Sequence, residues 1–174
     1  MSDQRQPAPM TEDEAAAFAD EVFDRARRGD AQMLGRLLES GLTPNLRNHK
    51  GDTLLMLASY HGHHDAVSVL LEHGADPLLA NDNGQLPIAG AAFKGDLPMI
   101  QLLLKHGVDV DAAAADGRTA LMLAAMFNRL DILDYLLEHG ADPRHLDARG
   151  ANALDAARTM GASDAAAKLQ ALVG

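Results

Sequence analysis

The chain has 174 residues, 47% of them hydrophobic, and a net charge of -10. That is enough for one sizeable core without a second domain, and the charge argues against non-specific nucleic-acid binding, which needs a basic surface. No apolar run approaches the roughly 18 residues that span a bilayer and the opening MSDQRQPAPMTEDE lacks the apolar centre of an export signal, so a cytoplasmic protein is expected; without cysteine there are neither disulfides nor thiolate metal sites, and with no tryptophan and 3% aromatics the core must be aliphatic.

Residues 1–10 carry two prolines and no periodicity, which predicts disorder. Thr11 and Glu14 have the spacing of a capping box, opening a helix through FADEVFDRARR and an N-terminal cap unit at 12–47. Beyond it the chain repeats itself. LLEHGADP stands at Leu70–Pro77 and again at Leu136–Pro143, with LLKHGVDV between them at Leu103–Val110. Three glycine combs keep a step of 33: Gly41, Gly74, Gly107 and Gly140; Gly51, Gly84, Gly117 and Gly150; and Gly29, Gly62, Gly95, Asn128 and Gly161. The one exception is asparagine, which tolerates a left-handed backbone. The combs divide a single repeat domain, 11–174, into the cap, three full units at 48–80, 81–113 and 114–146, and a shortened C-terminal cap at 147–173.

Each unit reads as helix, glycine stop, second helix, glycine stop, turn. Thr53, Thr119 and Asn152 stand where a first helix needs an N-cap, and the glycines close helices as left-handed residues. The middle unit departs from this. Leu86 replaces the capping threonine, Gly90 stands where Leu57 and Leu123 pack, and Ala112–Ala115 replaces a polar turn. A local weak point is predicted near residues 86–93, softened by Pro87 at the first helical position. The alanines and polar residues of DAAAKLQALV suit an outer cap that faces solvent.

A 33-residue unit with a turn, two antiparallel helices and the starts Thr53-Leu54-Leu55 and Thr119-Ala120-Leu121 resembles the ankyrin repeat, over about residues 12–173, with GHHDAVSVLLEHGADP its most specific stretch. The arrangement looks most like small stand-alone bacterial ankyrin proteins. The resemblance implies an all-α solenoid of stacked helix-turn-helix units with hairpin-like tips and capping units at both ends. It departs from the family where the signature histidine gives way to Met56, Ala89, Met122 and Asp155.

Histidine is the first candidate for chemistry. His73, His106 and His139 occupy one repeat position and should form a ladder with steps of about 10 Å. Zinc ligands must all lie about 2 Å from one ion, so this ladder cannot be a metal site. A place in the last turn of each second helix, at the negative end of its dipole, accounts for them. His61, His63 and His64 are denser. His63 occupies the family's Gly-His position, and His61, His64 and Asp65 leave a weak metal site, and with it a metal-responsive binding protein, as the alternative reading. No phosphate loop, dinucleotide fingerprint, zinc-protease motif or nucleophile elbow occurs, so neither an enzyme nor a cofactor is expected.

What remains is a surface, and the resemblance implies where it lies: on the turn tips and the exposed residues of each first helix. Carried over, these are Arg27, Arg28 and Arg47; His49, Lys50, Asp52, Tyr60 and His61; Asp82, Asn83, Gln85, Phe93 and Lys94; Asp116, Arg118, Met126 and Phe127; and Arg149, with small or apolar residues such as Ala80, Ala113, Leu146 and Met160 between them. Tyr60, Phe93 and Phe127 either form an aromatic hot spot or lie half-buried against the next repeat. Seven of the 15 Lys and Arg belong to this set, against three of the 25 acids. The expected partner is therefore a protein or peptide with an acidic patch, held by a monomer and bound more weakly as salt rises; the bland alternative is that the basic residues only solvate the tips. Neither nucleic acid nor a membrane is an expected partner.

Overall fold

The structure is a computed structural model that describes residues 8–174. Most of the segment expected to be disordered, 1–10, lies outside the described residues. Among those described there are ten helices and no strand. They pair as α1 (Glu12–Arg28) with α2 (Ala31–Glu39), α3 (Leu54–Tyr60) with α4 (His64–Glu72), α5 (Pro87–Lys94) with α6 (Leu97–Lys105), α7 (Ala120–Met126) with α8 (Leu130–Glu138), and α9 (Ala153–Thr159) with α10 (Ser163–Val173). The first helices α1, α3, α5, α7 and α9 stack in order as one layer, and the second helices pack behind them as the other. The result is an all-α solenoid.

Local chemistry sets the helix starts. The Thr11 hydroxyl accepts from Glu14 N–H at 3.2 Å while the Glu14 carboxylate accepts from Thr11 N–H at 2.8 Å, a complete capping box. Thr53 and Thr119 accept from the N–H groups of Met56 and Met122 at 3.1 and 3.4 Å. The Asn152 side chain accepts from Asp155 N–H to cap α9, and Asn152 N–H donates in return to the carboxylate of Asp155, at the position where the family keeps histidine. Asp30 and Asp96 cap α2 and α6, two starts that no threonine or asparagine signal marks. Leu86 makes no such bond. It is instead buried in the core, with Pro87 at the first helical position of α5.

Packing finishes what capping begins. The core is a continuous aliphatic stack that includes Leu34, Leu54, Leu55, Leu70, Ile88, Ile100, Leu103, Leu121, Ile132, Leu133, Leu136 and Leu169. One equivalent position per repeat supplies each rung, so every second helix needs the same apolar spacing. The tips are joined to one another through the backbone: Asp82 N–H donates to the Lys50 carbonyl, Ala115 N–H to Gly84 and Ala148 N–H to Asp116, at 2.9–3.0 Å. Within a tip, Asn48, Asn81 and Asp147 each accept two backbone N–H bonds with one side-chain oxygen. Ala114 breaks this series, and Asp116 takes over by accepting from Arg118 N–H. Asn128 is the one non-glycine with positive φ among the described residues, at 54°, in the comb of Gly29 and Gly95. Its side chain explains the choice: Oδ1 accepts from Ala165 N–H and Nδ2 donates to Asp164, tying the turn between α7 and α8 to α10 of the last repeat.

The ladder histidines have one job each. Their Nδ1–H groups donate to the carbonyls of Val69, Leu102 and Tyr135, at 2.8, 3.0 and 2.8 Å, adding a second bond to carbonyls that already accept the histidine's own backbone N–H in the last turn of α4, α6 and α8.

Candidate protein-binding groove

Stacking three first helices with their tips creates a groove of about 640 Å³ on the face that α3, α5 and α7 share. Its floor is apolar: Met56, Leu57 and Tyr60 from α3; Leu86, Pro87, Ala89, Gly90 and Phe93 from α5 and its entry; Leu123, Met126 and Phe127 from α7 and its exit. Its rim is polar, built from Lys50 and Asp52 on one tip, Asn81, Asn83 and Gln85 on the next, and Asp116 and Arg118 on the third.

The aromatics lie half-buried. Tyr60 and Phe93 are each 45% exposed, so about half of each ring is free to be covered. Phe93 meets Phe127 edge to face at 5.0 Å, which holds both rings in place across the α5–α7 boundary. Tyr60 reaches onto the following repeat, where its ring lies beside Gly90, and Lys94 Nζ sits 4.2 Å from the ring centroid. A methyl group at Gly90 would meet that ring at an ordinary 3.8 Å, so the ring rests against the helix backbone without depending on the glycine.

The charged residues divide into committed and free. Arg118 Nε–H donates to Asp116 at 2.6 Å, and Arg27 pairs with Asp24 at 2.8 Å. Burial pushes the Asp116 carboxyl up, but the Arg118 N–H and guanidinium more than offset it, so the group sits below the usual carboxylate range. Arg47 donates to the carbonyls of Gly51 and Ala80, at 3.2 and 2.5 Å, and so clips one tip to the next. Lys50, Lys94 and Arg149 form no ion pair among the described residues. Within the groove lining, Lys50 and Arg118 are matched by Asp52 and Asp116. The basic excess expected of this face is therefore not found in the groove lining.

Of the residues singled out from the sequence, Lys50, Asp52, Tyr60, His61, Asn83, Gln85, Phe93, Asp116, Arg118, Met126 and Phe127 line the groove together. Arg27, Arg28, Arg47, His49, Asp82, Lys94 and Arg149 do not line it, although Lys94 covers the outer face of Tyr60. Arg28 faces a shallow surface beside Asp20, Glu21 and Arg25 on α1. Met56 and Ala89 line the groove and escaped sequence reasoning. Their signal was available, since both replace the family's signature histidine with an apolar side chain.

The histidine cluster separates. His63 Nε2–H donates to the Arg27 carbonyl at 2.8 Å, its ring resting against Gly29, where a side chain would collide with it. His64 Nε2 lies 2.9 and 3.1 Å from the two oxygens of Asp96, on the next repeat. His61 stays at the groove edge, edge-on to Tyr60 at 5.5 Å. The suggested grouping of His61, His64 and Asp65 does not converge. Among the described residues no three His, Cys, Asp or Glu side chains do. Nor does Ser59 offer a nucleophile, because it is buried and its hydroxyl donates to the Met56 carbonyl at 3.0 Å. No helix among the described residues is long and apolar enough to cross a membrane.

A family model described as ankyrin repeats in three copies matches residues 23–114 and again 88–171. A Pseudomonas aeruginosa protein named for ankyrin repeats is 59% identical over 61 residues, which are 35% of this chain and 36% of the relative. The alignment thus spans little more than a third of that relative's length.

Proposed function

Because the chain belongs to the ankyrin repeat family, whose members generally mediate protein-protein interaction, we propose that it is a non-catalytic module that holds a partner protein or peptide in this groove, as a scaffold, adaptor or regulator. One observation carries the reading: an apolar floor across three repeats, with exposed Tyr60 and Phe93 and a polar rim, has the anatomy of a binding hot spot inside a water-excluding border. The partner supplies apolar side chains for the floor and acidic ones for the edges. Supporting the acidic part are Lys50, Lys94 and Arg149, which form no ion pair among the described residues, on a body whose net charge is -10. Arg27 and Arg118 add less, since each already faces a carboxylate.

The test compares the wild-type protein with a Tyr60→Ala, Phe93→Ala, Phe127→Ala variant as baits, with partners identified by mass spectrometry and their affinity measured with the purified proteins. Truncating a hot-spot aromatic costs about 2 kcal/mol or more, so the triple variant should lose its partner by at least tenfold while keeping its helical circular dichroism. Unchanged binding by a folded triple variant would place the interaction elsewhere. Reversing Lys94 and Arg118 to Glu should weaken binding and flatten its salt dependence, and no change would remove the acidic half of the proposal.

A further inference from the structure

The edge of the groove at His61 has a property that the aromatic floor does not explain. His61 follows α3 as its C-cap residue, edge-on to Tyr60, whose ring carries the Lys94 ammonium 4.2 Å from its centroid. The charged and titratable groups packed around this turn come from four elements. From α1 comes Arg27, already paired with Asp24. From the same turn comes His63, whose Nε2 proton is committed to the Arg27 carbonyl. From α4 comes His64, held by Asp96 at the start of α6, and from α5 comes Lys94. Asp24 and Asp96 are therefore occupied. Among the described residues neither His61 nor Lys94 forms an ion pair, and His61 lies on the border of the groove with Lys94 over the neighbouring Tyr60 ring.

Resting on the groove reading above, we propose that this corner seats a carboxylate of the partner between His61 and Lys94, and that its arrival draws one proton from water onto the His61 imidazole. The driving force is the reversal of a local imbalance. In the free protein, partial desolvation first and then the charges of His63, Lys94 and Arg27 hold the His61 imidazole below its ordinary value, which disfavours its charged form. A carboxylate accepting its N–H favours the charged form instead, and the two effects are linked: whatever raises proton affinity on binding makes binding tighter as pH falls. A carboxylate suits the corner better than a phosphoryl dianion. It meets one ammonium and one imidazole here, without the guanidinium fork or bare helix N-terminus that phosphate recognition uses.

Twelve-residue random peptides displayed on phage, selected on the immobilised full chain at pH 7.0 and then synthesised, supply the probe. Selected peptides should carry Asp or Glu beside apolar residues, bind roughly fivefold more tightly at pH 6.0 than at pH 7.5, and lose that difference in His61→Gln but not in His106→Gln. Lys94→Gln should weaken them at both pH values, as should amidation of the peptide carboxylates. The His61 imidazole, followed by NMR, should titrate at higher pH with peptide bound than without. Peptides that compete for the groove, and that the triple aromatic variant does not bind, yet show the same affinity at both pH values and no change in His61→Gln, would overturn this inference and leave the groove intact. If no selected peptide distinguished the wild type from the triple variant, the groove reading itself would fall. Peptides with phosphoserine in place of Asp binding more than tenfold better would overturn the choice of carboxylate.

Discussion

Gly117 and Gly150 are a matched pair that isolates how repeats press on one another. Both occupy the same place in a turn tip and both have φ of 79°, so replacing either with alanine carries the same left-handed backbone cost, about 1–2 kcal/mol. Their surroundings differ. A methyl group on Gly117 would lie 2.9 Å from Ala148 N and 3.0 Å from Asp147 Cα, backbone atoms of the next tip that cannot turn aside. At Gly150, on the last tip, nothing lies within 4 Å. Forcing atoms into a filled space adds about 1–3 kcal/mol. Gly150→Ala should then lower Tm by about 5 °C and Gly117→Ala by about 10 °C, at about 3 °C per kcal/mol for a chain of this size. Gly107→Ala, with φ of 87° inside the stack but no neighbour within 4 Å, controls for position along the solenoid and should match Gly150→Ala. The assay is thermal and urea unfolding followed by circular dichroism at 222 nm. Equal losses for Gly117→Ala and Gly150→Ala would refute the argument, because the tip-to-tip contact would then carry no weight.

Other consequences follow from the same geometry. Gly90→Ala should stabilise α5 by about 1 kcal/mol, since Gly90 needs no left-handed φ and a methyl there would meet Tyr60 Cδ2 at an ordinary 3.8 Å; a fall in Tm would show that the Tyr60 ring has no room to share. Amide exchange in α5 should be faster than in α7 and should slow in the Gly90→Ala variant, whereas equal protection in the wild type would remove the weak point. At Asp147 the Ala151 and Arg149 N–H groups hold the carboxyl below its usual range against a small opposing effect of burial. Its stabilisation is therefore full above the unfolded value of about 3.9 and is lost as pH falls through the folded value. Asp147→Asn, with the same side-chain acceptor that Asn48 and Asn81 use, should fold and lose less stability than the wild type between pH 5 and pH 3. Identical acid profiles would mean that Asp147 adds nothing to acid sensitivity.

The sequence by itself determined the repeat. A step of 33 multiplies each local signal, so the helix stops at the glycine combs, the caps at Thr53, Thr119 and Asn152, and the closing histidines of LLEHG could be placed without coordinates. It also placed the aromatics, because Tyr60, Phe93 and Phe127 recur at nearly the same point of successive units. What it could not decide is anything whose partner lies one repeat away. Asp96 caps α6 and is also the acceptor that holds His64 apart from His61. Arg47 and Arg118 count as basic surface in a composition. In the fold, one is a clip between tips and the other is matched by Asp116. Met56 and Ala89 stand out in the sequence only as departures from the signature histidine; stacking is what turns them into the groove floor. The physical reason is the same throughout: capping and turn signals act within a few residues of the chain, whereas the charge, exposure and company of a side chain here depend on what the neighbouring repeat lays against it.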